Sequence, residues 1–183
     1  PTLGSLIDPN QLPSDMFAAD YETLLPYLTA ALTAEHADDV HERAVAAAGM
    51  VKAAELLAGE YRLVVTNVPY LGRGKQCDTL KAHLDEHHPE GKADLATAFV
   101  LRCMQFCAAA GSTALVTPQN WLFLTTYRSL RKTLLRSSRF DAVIWLGPAA
   151  FQDMNFWAAN TALVIVSSGT AAGSHSFLGL SAS

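Results

Sequence analysis

Only 16% of the 183 residues are charged, and few of the usual marks of function are present. The three cysteines, Cys77, Cys103 and Cys107, are odd in number and lack framework spacing. That predicts reduced thiols and a cytoplasmic setting. Cys103 and Cys107 fall on one face of a predicted helix, and ordinary burial accounts for them. No apolar run approaches the ~20 residues that a bilayer span requires, so no membrane partner is expected. The opening Pro-Thr-Leu-Gly-Ser-Leu-Ile has no basic stretch of the signal-peptide kind. There is no Gly-x-Ser-x-Gly turn and no phosphate-cradling Gly-Lys-Ser/Thr loop, which excludes the corresponding hydrolase and NTPase readings. His87-His88 beside Asp85 and Glu86 has no further ligand cluster near it, so no metal is expected.

Half of the residues are apolar, as suits a globular α/β protein. The net charge of −4 hides an asymmetry. Residues 1–60 carry ten acids and two bases, and residues 61–183 carry seven acids and eleven bases. The second part is therefore the better neighbour for a polyanion. Residues 15–58 read as helical and Ala-rich, with Phe17, Tyr21, Leu24, Leu25 and Leu28 on one stripe and Val40, Ala44, Ala47, Val51, Ala54 and Ala58 on another. Short apolar strands follow at Leu63–Thr66, Thr113–Thr117, Asp141–Leu146 and Thr161–Val166. Between them lie a polar helix near Thr79–Glu86, a helix opened by Asp94 and stopped by Gly111, and a basic helix Tyr127–Arg136. The alternation predicts an α/β sheet with helices on both faces, and chemistry beyond the carboxyl ends of its strands. Three parts are expected: a helical segment at 1–60, a core at 61–168 and a flexible tail at 169–183. The chain opens without a methionine and in mid-pattern, and is read as part of a longer protein.

The first strand runs into Asn67-Val68-Pro69-Tyr70. A side-chain amide oxygen beside a backbone carbonyl offers two acceptors, the complement of a planar amino group with two hydrogens to donate. Tyr70 adds a flat face on which a base can stack. Pro69 fixes its own φ and pushes Val68 into an extended shape, so that the acceptors are held outward. The ligand this set suits is the exocyclic amine of a nucleobase.

These residues and their surroundings resemble the DNA adenine-N6 methyltransferases, whose hallmark is Asn/Asp-Pro-Pro-Tyr/Phe after a strand. The resemblance is closest to large enzymes of the phage-exclusion and restriction-methylation fusion types. Four segments carry it, in the family's order: Asn67 through Lys75, Lys92 through Phe99, Val116 through Trp121, and Leu146-Gly147 with Ala150-Phe151. It implies a Rossmann-like class I methyltransferase sheet, of which residues 61–166 are the C-terminal, target-base half. It also implies S-adenosylmethionine as donor, double-stranded DNA as partner, defence-system subunits as possible further partners, and an adenine extruded from the duplex. Asn67, the Val68 carbonyl, Pro69 and Tyr70 would grip that adenine and favour a pyramidal, nucleophilic N6.

Two features depart from the family. Val68 replaces its first proline, and a Val68→Pro variant is expected to preserve or raise methylation. The glycine-rich turn and following acid that hold the donor are not visible, so the main donor motif is expected upstream of residue 1. The chain alone is then expected to bind donor weakly and to be inactive. An inactive methyltransferase-like module that binds DNA or assists assembly is the alternative reading. Asp94 is a candidate donor contact through the resemblance, or simply an N-cap. Arg73 and Lys75 are DNA candidates by position. Asn120 stands in a turn whose polar groups meet DNA or base, or that serves to bury Trp121. Phe151 or Phe156 is the candidate for stacking on the base's second face. Arg128, Arg131, Lys132, Arg136 and Arg139 read as phosphate contacts or as a solvated outer helix.

Overall fold

The computed structural model describes residues 3–11, 49, 52–147 and 160–182. The chain divides into two units, one of Pro1–Leu6 with Glu60–Ser183 and one of Ile7–Gly59. In the second unit residues 52–58 are helical, and Asn10 Nδ2 donates to the Ala58 carbonyl at 3.2 Å. Most of the expected 15–58 helical region lies outside the described residues.

The first unit is built on a five-stranded mixed sheet of order β1-β2-β4-β3-β5. The strands are β1 (Tyr61–Asn67), β2 (Cys107–Pro118), β3 (Ser138–Gly147), β4 (Thr161–Ser168) and β5 (Leu178–Ser181). Helices α1 (Asp78–His87) and α2 (Leu95–Gln105) join β1 to β2, and α3 (Arg128–Ser137) joins β2 to β3. β1 and β2 are parallel, as are β3 and β5, whereas β4 runs antiparallel to both neighbours, β2 and β3. The Gly/Ser/Ala-rich tail thus contributes a short strand that its composition does not announce.

The strand positions follow the sequence, with one correction. The helix begun at Asp94 does not run to Gly111. It ends at Gln105, and Gly111 lies inside β2. Tyr61 pairs with Cys107 but Leu63 with Ser112, so residues 108–111 bulge out of register, with Ala110 at φ 60°. A Cβ on Gly111 would stand 2.7 Å from the Tyr61 carbonyl oxygen, so the bulge closes over β1 only with glycine there.

Alternation sets the two faces. Thr113, Leu115 and Thr117 of β2 and Ala162, Val164 and Val166 of β4 are buried beneath helical side chains. Val100 and Cys103 of α2 and Leu130 and Leu134 of α3 close that core. Cys103 is a buried free thiol, pushed up to about 12 by burial. α1 packs farther out, through Leu80 and Leu84 on Leu6 and Ala98. On the opposite face Leu63 and Val65 are 61% and 68% exposed, and Val116, Leu163 and Ile165 beside them are partly exposed. Helices on both faces were expected. Among the described residues, the packed helices cover one face, and most of the expected 15–58 helical region lies outside the described residues.

Candidate functional site at the sheet rim

The reversed direction of β4 gathers the site. Asn67, at the end of β1, is in register with Val116 near the end of β2. Pro118 and Gly147, which end β2 and β3, both pair with Thr161, which begins β4. Three strand ends and one strand start therefore share a rim. Gln119 N–H clips it by donating to the Asn160 carbonyl at 2.8 Å.

Asn67 is exposed at this rim and borders an open apolar cleft of about 430 Å³ with Val65, Val116 and Leu163. Val68 turns the other way. It is 3% exposed and belongs to the core with Val100, Leu115 and Trp121. Its N–H donates to the Val116 carbonyl at 3.3 Å, extending the ladder one step beyond the strand. A valine at this position thus fills core space and supplies a donor that proline lacks. Val68→Pro should lower the unfolding free energy by about 1 kcal/mol, the worth of one hydrogen bond. A thermal melt unchanged from wild type would show that this bond carries no weight.

Pro69 is exposed, and Tyr70 is half-buried against the core. Tyr70 is therefore less open than a ring offered wholly to solvent. Burial raises its hydroxyl above the ordinary tyrosine range, the neighbouring Thr161 side chain opposes this, and the nearby Asp94 carboxylate reinforces it. Tyr127 is buried close by, and its hydroxyl is raised by burial and by Asp94.

Asp94 holds the loop that follows the motif. Its Oδ1 accepts from Ala96 N at 2.9 Å, capping α2, and from Leu71 N at 3.3 Å. Gly72 bridges to Asp94, Leu95 N donates to the Leu71 carbonyl at 3.0 Å, and Arg73 N donates to Ala93 O at 3.0 Å. The buried Gln76 adds a bond from Nε2 to Leu71 O at 3.1 Å. Asp94→Ala should cost about 1–2 kcal/mol of stability through the lost cap. Asp94→Asn, which keeps an acceptor, should cost only a few tenths. Equal losses in both would mean that charge matters here, and not the hydrogen bonds.

The other candidates divide. Arg73 pairs with Asp85 at 2.6 Å, and Lys92 reaches the same carboxylate at 2.8 Å. Lys92 and then Arg73 hold the Asp85 carboxyl below its usual range. Lys75 is exposed. Asn120 is half-buried in a 3-10 turn, Gln119–Leu122, with Trp121 sealed beneath it and bonded from Nε1 to Thr117 Oγ1 at 3.0 Å. Phe151 and Phe156 lie outside the described residues, in the segment joining Gly147 to Asn160. Of the five bases at 128–139, Arg131 donates to the carbonyls of Trp121 and Leu124, both at 2.7 Å, and Arg139 pairs with Asp141 at 2.8 Å. Arg128, Lys132 and Arg136 are exposed at intervals of four on α3, so the unpaired charge lies along one helix face and is not spread around it. Thr161 and Tyr127 were not foreseen as neighbours of the motif, since only the reversed strand and the return of the 119–127 loop bring them there. Among the described residues no group of three or more His, Cys, Asp or Glu side chains is placed to hold a metal ion. Nor is any helix among them long and apolar enough to cross a membrane.

Comparison with known proteins places this arrangement. BrxX of Escherichia coli O9:H4 strain HS, an adenine-specific methyltransferase, is 32% identical over 152 residues, covering 82% of this chain and 12% of that protein. PglX of Lacticaseibacillus casei strain Zhang, also an adenine-specific methyltransferase, is 28% identical over 117 residues, covering 64% of this chain and 10% of that protein. The chain thus spans about a tenth of the length of these curated relatives. A Listeria monocytogenes protein described as a class I S-adenosylmethionine-dependent methyltransferase shares the fold, with a TM-score of 0.54 at 13% identity over 68% of this chain and 38% of that one. The Eco57I restriction-modification methylase family matches residues 20–151, a span that holds all four motif segments. By that match across most of its length, the chain belongs to the Eco57I restriction-modification methylase family.

Proposed function

We propose that this chain is the target-base half of an adenine-N6 DNA methyltransferase of a restriction-modification or phage-defence system. The observation that carries the reading is the split orientation of two adjacent residues. Asn67 stands open at the rim while Val68 is anchored in the core. An anchored neighbour gives the exposed amide a fixed position, which an acceptor for a reacting amino group requires. The adenine-specific relatives support the choice of base.

The lone pair of adenine N6 is delocalised into the ring and is a poor nucleophile. Asn67 Oδ1 and the Val68 carbonyl accept the two N6 hydrogens and favour a pyramidal nitrogen, whose lone pair would displace the donor's sulfur from its methyl carbon, with one N6 proton then lost to water. Tyr70 lends the partly open side of its ring to stacking, worth roughly 1–3 kcal/mol. Pro69 keeps the turn extended.

S-adenosylmethionine, when bound, supplies an electrophilic methyl group. Most polar groups of the described loop nearest the motif are committed to the loop itself. Arg73 N and Lys75 N already donate to Ala93 O and Gly72 O, and Asp94 Oδ1 already takes two backbone amides. The role proposed for Asp94 is accordingly to hold the motif loop, and residues 67–70 act on the acceptor alone. The inactive-module alternative rests chiefly on Val68, and the packing of that side chain accounts for valine without any loss of chemistry.

The test is direct. The intact gene product is incubated with S-adenosylmethionine and mixed-sequence duplex DNA, and the digested DNA is assayed for N6-methyladenine by mass spectrometry. Methylated adenine is expected. DNA bound but unmethylated would favour the inactive module.

A further inference from the structure

The loop from Gln119 to Tyr127 is pinned far more firmly than a nine-residue connection needs. Gln119 is clipped to Asn160, and Trp121 is sealed beneath the loop on Thr117. Phe123 N and Leu124 N both donate to the Asn120 carbonyl, at 3.3 and 2.9 Å, and Tyr127 N donates to Leu124 O at 3.2 Å. Arg131 reaches back from α3 to the carbonyls of Trp121 and Leu124. The tip held by all of this shows water two consecutive apolar side chains, Phe123 at 54% and Leu124 at 43% exposed. Phe123 also borders an open apolar cleft with Leu135, Phe140, Trp145, Phe177 and Leu180, whereas Leu124 stands outside that cleft.

Place and charge indicate what they meet. The loop leaves β2 at Pro118, two residues beyond the register partner of Asn67, and so stands on the rim that carries the motif. It runs directly into α3, whose exposed Arg128, Lys132 and Arg136 present positive charge, with no acid anywhere on that helix. An apolar tip followed by a row of cations is complementary to a base stack bordered by phosphates.

We propose that Phe123 and Leu124 form an apolar wedge that enters duplex DNA beside the target adenine and fills the gap left by the extruded base. The inference rests on the methyl-transfer reading and adds to it the group that opens the duplex. Extrusion costs the base its pair and its stack. A side chain in the vacated space restores stacking to the neighbouring pairs. A tip already fixed by its backbone loses little conformational entropy on entry.

The wedge is needed only where the pair must be broken, and that property gives the test. Initial methylation rates of the intact gene product are compared with those of the double variant Phe123→Ala, Leu124→Ala. The substrates are a duplex containing the methylated site and the same duplex with the target adenine opposite a mismatched base. The double variant should lose roughly 100-fold on the matched duplex and recover to within about fivefold of wild type on the mismatched one. 2-Aminopurine at the target position should brighten with wild type and stay quenched with the variant on the matched duplex. Both side chains are exposed, so the thermal melt should not move, and Phe123→Leu with Leu124→Met should restore most of the matched rate. Equal losses on both duplexes, or no loss on either, would overturn the wedge while leaving methyl transfer standing. A wild-type protein that methylates neither duplex would overturn methyl transfer, and the wedge with it.

Discussion

Asn67→Ala should reduce methylation of a matched duplex about a thousandfold, in the range found when one positioned transition-state hydrogen bond is removed. The loss should fall in kcat more than in KM, because in the proposed mechanism the amide acts on a nitrogen that becomes pyramidal only as reaction proceeds. On the proposed reading, the contacts that recruit the duplex do not include Asn67 and stay in place. Asn67 is exposed, so the melt of the variant should lie within about 0.5 kcal/mol of wild type, as for surface positions generally. Asn67→Asp keeps an acceptor oxygen, and the hallmark itself admits aspartate, so that variant should retain measurable activity. Wild-type rates in Asn67→Ala, with N6-methyladenine still the product, would remove Asn67 from the chemistry and the proposed grip on the amino group with it.

The largest stability effect should come from Trp121→Ala. The indole is fully buried and is the largest of the sealed side chains among the described residues, and it packs with Val68, Leu115 and Phe140. Replacing a buried tryptophan with alanine costs about 3–5 kcal/mol. Here it also leaves the buried Thr117 hydroxyl without the indole N–H that it accepts. A midpoint fall of about 10 °C is expected for a chain of this length. Trp121→Phe keeps most of the volume and breaks only that bond, so it should cost about 1–3 kcal/mol. The rim loop stands on this ring, so the alanine variant should also blunt whatever the loop does to DNA. A melt unaffected by Trp121→Ala would place the ring outside the core.

The sequence makes the strands, the α2 cap and the motif legible because each depends on local chemistry. Runs such as Leu63–Val65 and Ala162–Val166 are apolar without interruption, Asp94 caps its own helix, and Asn67 through Tyr70 carry donors, acceptors and ring in four consecutive residues. Features that depend on distant pairing are not legible. The bulge at 108–111 exists because Tyr61 lies across from Cys107, and an Ala-Ala-Ala-Gly run reads locally as the end of a helix. Arg73 is a DNA candidate by its position in the sequence, and its pairing with Asp85 becomes visible only when α1 is folded beside it. The reversal of β4 has no composition mark, yet it is what puts Thr161 beside Tyr70.

That reversal also orders the protein's birth. β4 stands between β2 and β3 in the sheet but follows both in the chain. As the polypeptide leaves the ribosome, β3 emerges with no strand beside which it can settle, and β2 has β1 on one edge only. The middle of the sheet is completed when residue 168 is free of the exit tunnel, several seconds after β1 at the usual pace of synthesis. Until then the half-built sheet presents bare edges, and binding by a holdase chaperone during translation should be strongest over that interval.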